Sequence, residues 1–248
     1  MSVKKMLLTL LLISAAYQNT AAKEPLSYSV TDVSWEPYWI VEQGEARGIF
    51  SDLMETIAPH VGPGLKAESP YPVKRAQMMF ERGEIAVECC VNQAWRSPTD
   101  STGETLWTET VLTTHEVVIF PAAKPLLVKT PADLAGKEVA TILGYGYIGD
   151  TLFKRNDVLD NIAQLKLVAY ERVDAAVVDI HELSYLLRTD PSIIELKDKI
   201  TIGEKIGSSA LKMRVNSQHP ELLPVLNAEI RRMKQSGKMK AIVDRYIQ

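Results

Sequence analysis

The segment 71–96 joins a helical pattern of apolar residues to a strand-like one. From Val73 to Phe80 the apolar residues lie on one helical face with charged residues elsewhere, which predicts an amphipathic helix. Ile85 to Val91 is a short, mostly apolar run rich in β-branched and thiol side chains, which predicts a strand buried on both faces. Arg96 follows shortly after this strand. Because ligands in open α/β sheets lie beyond the carboxyl ends of strands, its guanidinium is a candidate to bind a carboxylate.

The pattern upstream of this segment predicts the same alternation. Tyr28–Val33 and Leu65–Ser69 are predicted strands, and a helix is predicted to begin at Leu53 behind the capping pair Ser51-Asp52. With the segment 71–96 these elements give the order βαβαβ, which is typical of a doubly wound α/β unit.

The second half of the chain also alternates strands with turns and helices. His115–Pro121 is a β-branched run that can cross from one unit to another, and Gly207–Ser209 is predicted to be the return crossing. The glycine-rich turn Gly144–Tyr147 is predicted to open a helix near Gly149, whose backbone N–H groups would suit an anion. Further strands are predicted at 138–143, 165–170, 175–178, 193–195 and 200–202.

The C-terminal part of the chain is predicted to be helical. A long amphipathic helix begins at His219-Pro220, Gly237 interrupts it, and Ala241–Ile247 forms a last helix.

The N-terminus reads as a secretory signal peptide. Lys4 and Lys5 precede the apolar stretch Met6–Ala16 and a small-residue cleavage site ending at Ala22, and the stretch is too short for a membrane span. Removing residues 1–22 changes the net charge from −3 to −5. A mildly acidic chain without a basic run has no electrostatic footprint for nucleic acid.

The cysteines and histidines indicate no metal or redox motif. Cys89 and Cys90 are adjacent, so across a trans peptide their Cα atoms would lie about 3.8 Å apart, which is short for a disulfide. Two buried thiols are therefore expected rather than a vicinal disulfide, although the disulfide remains an alternative. The histidines have no metal-ligand spacing.

The order of these motifs resembles the bacterial periplasmic solute-binding proteins of the polar-amino-acid type, which serve ABC importers. The patterns that carry the resemblance are P-x-x-R-A, G-E-I and W-R between Pro72 and Arg96, D-L-x-G-K-x-V-A from Asp133 to Ala140, and D-A-x-x-x-D from Asp174 to Asp179. The resemblance covers nearly the whole chain after residue 22.

The resemblance implies a two-lobed α/β fold, the type II periplasmic-binding fold. Each lobe would be a doubly wound mixed sheet flanked by helices, and two crossings would form the hinge. Lobe 1 is expected to comprise residues 23–119 and 209–248, and lobe 2 residues 120–208.

The resemblance also implies ligand-binding roles. An aromatic residue at the position of Trp35 stacks on the solute, and an aspartate often occupies the position of Asp32. Arg96 would bind a carboxylate, and Asp179 would take an α-ammonium group, although Asp179 can equally cap the following helix. Tyr38 belongs to the same aromatic cluster as Trp35 and is a further candidate for the site.

Two departures from the family's pattern affect the site. The serine or threonine that usually helps to hold the carboxylate is replaced by Tyr145 and Tyr147, which are candidates for a ligand wall or for packing of the turn. The usual aspartate after G-x-I is replaced by Ala86, with Glu88 nearby as a possible pocket residue.

The sequence therefore predicts a monomeric periplasmic receptor that closes on an amino-acid-like or organic-acid solute and delivers it to an inner-membrane ABC permease. No catalytic residue, metal, cofactor or nucleic-acid partner is expected. One alternative is an enzyme resembling cyclohexadienyl or arogenate dehydratases, with Glu88 or Asp179 as acid or base. Another is a stand-alone sensor module, which the two tyrosines motivate.

Overall fold

Two long antiparallel strands run through the molecule and join its parts into one sheet. The computed structural model describes residues 24–96 and 103–248, so the predicted signal peptide lies outside the described residues. The strands are β1 (Leu26–Ser29), β2 (Ile40–Glu42), β3 (Glu45–Arg47), β4 (Leu65–Ala67), β5 (Val87–Asn92), β6 (Leu106–Trp107), β7 (Leu112–Pro121), β8 (Glu138–Ile142), β9 (Lys154–Val158), β10 (Ala175–Asp179) and β11 (Ile200–Val215).

The helices flank this sheet. They are α1 (Ile49–Ile57), α2 (Val73–Glu81), α3 (Asn161–Ala169), α4 (Ile180–Thr189), α5 (Pro191–Ile194), α6 (Leu222–Gln235) and α7 (Lys238–Ile247). Short 3₁₀ turns occur at Ala58–His60, Gln93–Trp95, Pro131–Leu134 and Lys197–Lys199.

The strand order places the two long strands at the centre. The sheet runs β4-β1-β5-β11-β7-β10-β8-β9, β6 pairs with β11, and β2 and β3 form a separate hairpin. The pairings β4-β1-β5 at one end and β10-β8-β9 at the other are parallel, whereas β11 with β5 and β7, and β7 with β10, are antiparallel. The predicted mixed α/β fold is confirmed, with β7 and β11 as the two crossings.

One hydrophobic core forms around the β4-β1-β5 end. The strand residues Tyr28 and Val87 pack there with Phe50 of α1 and with apolar residues of α6 and α7. The C-terminal helices thus pack on the N-terminal part of the chain, and we call this unit lobe 1.

The opposite end of the sheet is covered on both faces, and we call it lobe 2. Along β7 the side chains alternate, so that Val117 and Ile119 join one core with α3 and α4, while Val118 and Phe120 join another with Leu134. Val111 and Leu211 pack in the core of lobe 1, whereas Val117 and Ile206 pack in the cores of lobe 2, so the chain passes from one lobe to the other between these residues. The boundaries at 119/120 and 208/209 stay a prediction.

Three elements differ from the expectation. Residues 165–170 belong to α3 and its C-cap, not to a strand. Asp160 caps this helix by accepting from the Ala163 N–H at 2.7 Å, and Leu165, Val168 and Ala169 bury one helical face. Residues 193–195 belong to α5 and its cap.

The third difference concerns the glycine-rich turn. The turn after β8 leads into β9 and does not open a helix at Gly149. β9 pairs in parallel with β8, with Glu138 opposite Lys154 and Ile142 opposite Val158, so the residues after the turn form the edge strand of the sheet. The helix N-terminus expected there as an anion site is absent from the described turn.

The expectation of two free thiols is also wrong. Cys89 and Cys90 form a vicinal disulfide across a cis peptide bond, with their Cα atoms 3.0 Å apart. A trans peptide bond would hold the two Cα atoms about 3.8 Å apart, whereas the cis bond brings them closer together.

Candidate functional site

A cavity of about 540 Å³ lies between the lobes and is lined from both of them and from the crossing strands. Lobe 1 contributes Trp35, Glu88, Trp95 and Arg96, the crossing strands contribute Thr114, Glu116 and Ser209, and lobe 2 contributes Tyr145, Tyr147, Asn161, Asp179 and Glu182. The vicinal disulfide also lines it. Its volume lies within the range of about 300–1,000 Å³ that is typical of small-molecule sites.

Arg96 is positioned by the way β5 ends. The Asn92 side chain accepts from the Ala94 N–H at 2.9 Å and caps the 3₁₀ turn Gln93–Trp95, which turns the chain so that Arg96 faces back toward β5. Its Nε then lies 2.9 and 3.1 Å from the two carboxylate oxygens of Glu88, and its Nη2 lies 2.7 Å from Oε1. The fork of Arg96 is therefore paired inside the protein.

Glu88 also interacts with a second arginine. Nη1 of Arg214 lies 3.7 Å from Glu88 Oε2, and Arg214 is fully buried on β11 with its guanidinium 4.3 Å from the centre of the Phe80 ring. One carboxylate thus serves two guanidinium groups on the lobe 1 side of the cavity. Together the three side chains carry one net positive charge.

Asp179 ends β10 and caps α4. Its Oδ1 accepts from the backbone N–H of His181 at 2.8 Å and of Glu182 at 3.3 Å. The Tyr38 hydroxyl lies 2.9 and 3.1 Å from the two carboxylate oxygens and donates to them, and the Thr114 hydroxyl also donates to Asp179. The capping role that the sequence left open is present in the structure, and it ties lobe 2 to lobe 1 through Tyr38.

Glu182 is the most deeply buried acid on the lobe 2 side. It is 7% exposed, and its carboxylate accepts from Nε1 of Trp35 across the cleft and from Nδ2 of Asn161 in α3. Burial and the neighbouring Asp179 raise the pKa of Glu182 to about 8, against an ordinary value of 4.5. At neutral pH this carboxyl group is therefore largely protonated.

Burial also shifts the pKa values of the groups around Glu182. Burial, together with Asp179, raises the pKa of Glu116 above its ordinary value and raises that of Tyr38 well above its own. Burial lowers the pKa of His181, whose Nδ1 lies 3.0 Å from the Tyr38 hydroxyl. The neutral forms of these groups are thus favoured, and His181 adds little positive charge to balance the acids.

The turn after β8 forms one wall of the cavity. Arg155 holds it from below, donating to the carbonyl oxygens of Tyr145 at 3.0 Å and Ile142 at 3.2 Å. The Tyr147 hydroxyl accepts from the Ile142 N–H at 3.0 Å, and burial raises the pKa of Tyr147 to about 12. Tyr145 is 53% exposed at the rim. Tyr147 therefore packs within the turn, and Tyr145 presents its ring outward.

The described residues contain neither a metal site nor a membrane-spanning helix. In 24–96 and 103–248, no group of three or more His, Cys, Asp and Glu side chains is placed to hold a metal ion. No helix in these ranges has the length and apolar character needed to cross a membrane.

The sequence matches one family over most of its length. The model of the bacterial extracellular solute-binding proteins, family 3, matches residues 29–248. The chain belongs to this family. No curated protein matches the chain by sequence.

Several solved structures share the fold of this chain. The periplasmic domain of BvgS from B. pertussis superposes with a TM-score of 0.74 at 19% identity, covering 90% of this chain but 43% of that one, so this protein spans less than half of its length. The ligand-binding core of GluR0 in complex with L-glutamate gives 0.70 at 17% identity, covering 90% and 98% of the two chains. A histidine kinase sensor domain with similarity to periplasmic binding proteins gives 0.66 at 17% identity, covering 91% and 96%.

The solute-binding protein brings most of its predicted site residues to the cavity. Trp35, Arg96, Tyr145, Tyr147 and Asp179 line it. The other two predicted residues, Asp32 and Tyr38, do not line the cavity. Asp32 is exposed on the surface, and Tyr38 is buried behind the cavity wall, where it is hydrogen-bonded to Thr114 and Asp179. The ligand contacts of all seven stay a prediction.

Sequence reasoning missed other residues of this solute-binding protein's cavity. Glu182 and Glu116 carry the acidic wall, and Trp95 packs edge-on against Trp35 with ring centres 6.0 Å apart. A signal for Glu182 was present, because it follows Asp179 by three residues: Asp179 caps α4 and Glu182 lies in the first turn of the same helix. Glu116 offered none, since it lies within a run that reads only as a strand.

Proposed function

We propose that this protein is an extracytoplasmic receptor that closes its two lobes on a small amino-acid-like solute and delivers it to an ABC importer. The observation that carries the proposal is the cavity between the lobes, since both lobes and both crossing strands supply its walls. A site built in this way changes shape when the lobes move about the crossings. A solute that contacts both lobes would therefore stabilise the closed form.

The distribution of charge supports a zwitterionic solute. Arg96 and Arg214 lie on the lobe 1 side, whereas Asp179, Glu182 and Glu116 lie toward lobe 2 and the crossing strands. The rings of Trp35 and Trp95 supply flat apolar surface between these regions. A solute carboxylate would share Arg96 with Glu88, so we expect weaker anchoring than an unpaired guanidinium would provide.

Binding without chemical conversion is part of the proposal. Glu88 is paired with two guanidinium groups, and Asp179 is held by helix-capping and hydroxyl hydrogen bonds. Neither is poised to transfer a proton, which argues against these two residues as the acid or base of a dehydratase. Membership of an extracellular family supports a periplasmic location, and we expect a monomer.

A thermal shift panel tests this function. The chain from residue 23 onward is melted with L-amino acids, short peptides and small organic acids, each at about 100 times the dissociation constant expected of a binder. Such a ligand adds about 2.7 kcal/mol to the stability of the folded state and raises the melting temperature. The hit is then incubated with the protein and recovered for mass spectrometry, and an unchanged ligand is the expected result. Conversion of a prephenate-like or arogenate-like acid would favour the enzyme instead.

Arg96→Ala examines the proposed anchor. We expect the variant to lose at least tenfold in affinity for a hit that carries a carboxylate. Among the described residues that line the cavity, Arg96 supplies the only guanidinium or ammonium group, since Arg214 is fully buried behind Glu88. Undiminished binding would show that the carboxylate of the hit is not held by Arg96.

A sensor module is a second candidate, and one observation favours it. Hydrogen bonds already join the two lobes without a solute. Trp35 donates to Glu182, Tyr38 donates to Asp179, and Arg188 donates to the carbonyl oxygens of Arg245 and Tyr246. A histidine kinase sensor domain shares the fold. Small-angle scattering without solute distinguishes the two, because an importer receptor should be open and become more compact on adding the hit, whereas a solute-independent sensor should already be compact.

A further inference from the structure

Three carboxylates line the lobe 2 side of the cavity within a short distance of each other. Asp179 on β10 and Glu116 on β7 are directly opposite partners in the antiparallel register, so their side chains lie on the same face of the sheet. Glu182 follows Asp179 by three residues and lies in the first turn of α4. All three line the cavity. Acids placed directly opposite each other across a sheet destabilise it unless a cation or a proton intervenes.

No basic side chain in the described parts of the chain forms an ion pair with any of the three. On the other wall, the cavity-lining Arg96 and the fully buried Arg214 both pair with Glu88. Residues 24–96 and 103–248 contain no Lys, Arg or His within ion-pair distance of Glu116 or Glu182, and the nearby His181 is held toward its neutral form by burial. The acidic wall therefore lacks a counter-charge from the described residues.

Protonation of these carboxyl groups relieves the excess of negative charge. Glu182 has a pKa of about 8 and that of Glu116 is raised, in both cases mainly by burial. A proton on Glu182 is compatible with its neighbours, because Trp35 donates to one carboxyl oxygen while the Asn161 amide can turn to accept from the other. The cavity without solute thus stores at least one exchangeable proton where a cation would fit.

We propose that Glu182 binds a cationic group of the solute, an amine or guanidinium in addition to any α-ammonium group, in exchange for its proton. The neutral carboxyl group loses its proton to solvent, and the resulting carboxylate pairs with the cation, so charge and atoms balance. This inference rests on the proposed solute-binding function and specifies the solute class. Because Trp35 of lobe 1 holds the same carboxyl group, the exchange takes place at a contact that also joins the lobes.

The exchange predicts how affinity depends on pH. The titratable groups that face Glu182, or face its partners, come from several elements. They are Asp179 and His181 around the start of its own helix, Glu116 and His115 on β7, Tyr38 after β1, and Tyr145 and Tyr147 in the turn after β8. Below pH 8 a cation must displace a proton from Glu182, so its affinity should rise about tenfold for each pH unit from pH 6 toward pH 8. Above pH 8 it should become constant.

L-arginine and L-citrulline form the probe pair, because they share their α-groups and differ by a guanidinium against a neutral ureido group. L-lysine and L-ornithine are measured beside them, with L-glutamine and L-glutamate as neutral and acidic references. Titration calorimetry at about pH 7 in two buffers of different ionisation enthalpy counts the protons released. We expect one or more cationic amino acids to bind at least tenfold more tightly than the neutral references and to release close to one proton.

Glu182→Gln tests the assignment to this residue. The amide keeps the size of the side chain and can accept from Trp35, so a purely structural role predicts little change. The proposal predicts at least a tenfold loss of affinity for the cation, loss of most of its pH dependence, and proton release near zero, with a clearly smaller loss of affinity for the neutral references. Glu195→Gln, which removes an exposed acid from the surface of lobe 2, serves as the matched control and should behave as wild type.

The outcomes separate this inference from the function beneath it. If neutral or acidic solutes bind as tightly as L-arginine and L-lysine, or if Glu182→Gln leaves the proton release unchanged, the proposal is overturned while solute binding stands. If no amino acid or organic acid binds the wild-type protein, the proposed function fails and this inference fails with it.

Discussion

Glu88 is the side chain whose removal should disturb this protein most clearly. Its carboxylate is 8% exposed and lies between a cavity-lining guanidinium, Arg96, and a fully buried one, Arg214. Arg96 makes three N–H···O contacts of 2.7–3.1 Å with it. Glu88→Ala removes the only negative charge of this trio and leaves two positive charges near each other in a poorly solvated region.

The expected cost follows from the asymmetry of buried ion pairs. Removing one partner of such a pair typically costs about 3–5 kcal/mol, because the remaining charge stays buried without its counter-charge. For a chain of this size, about 2–4 °C is lost for each kcal/mol, so the melting temperature should fall by about 6–20 °C. Glu88→Gln keeps the shape and one acceptor oxygen, and its cost should be lower, about 2 kcal/mol.

Equilibrium urea unfolding of wild type, Glu88→Ala, Glu88→Gln and Arg96→Ala measures these costs. Arg96→Ala should cost less than Glu88→Ala, because Glu88 keeps its interaction with Arg214. The double variant Glu88→Ala/Arg96→Ala should be more stable than the sum of the two single losses predicts, because it leaves only the charge of Arg214 without a counter-charge, whereas Glu88→Ala alone leaves two. A loss below about 1 kcal/mol for Glu88→Ala, or a larger loss for Arg96→Ala, would refute the reasoning.

Three further predictions follow from the contacts between and within the lobes. The raised pKa of Glu182 contributes stability that is fully present below its ordinary pKa of 4.5 and is lost as the pH rises through 8. The lowered pKa of His181 acts in the opposite direction, but only below pH 6.5. The free energy of unfolding of the wild type should therefore fall between pH 6.5 and 8, and Glu182→Gln should remove this slope. Arg188→Ala removes the hydrogen bonds from α4 to α7 and should increase the radius of gyration in X-ray scattering, whereas the exposed Arg172→Ala on the same lobe should not. Asp179→Ala should lower stability by about 1 kcal/mol or more through loss of the helix cap, and Asp179→Asn by clearly less in the same chemical denaturation, because asparagine also caps helices well.

Much of the fold was predictable because local pattern and tertiary structure agree. The helix predicted from Val73 is present as α2, and the β-branched run at 115–121 lies in the crossing strand β7. Where the prediction was wrong, local signals conflicted. Residues 165–170 are apolar enough for a buried strand, but the Asp160 cap and the packing of one face make them helical.

The candidate site was predictable only in part, because its residues become neighbours through strand register and lobe packing. Trp35, Arg96 and Asp179 could be singled out from aromatic clustering, strand ends and the family resemblance. Asp32 carried the same kind of signal, yet it is exposed and does not line the cavity, although its neighbours Thr31 and Val33 do. Tyr38 was recognisable as part of the cluster, but whether it faces the cavity or its supporting layer depends on how the lobes pack.

The sequence alone determined the alternation of strands and helices, the two crossings and the presence of acidic and basic side chains at strand ends, since these depend on spacing along the chain. Only the tertiary structure decided which charges meet. Glu88 pairs with Arg96 from eight residues away and with Arg214 from a distant strand, and Glu116 faces Asp179 through the register of β7 and β10. Electrostatic interactions depend on separation in space and on burial, which no local pattern specifies, and for that reason the balance of charge in the cavity emerged only with the fold.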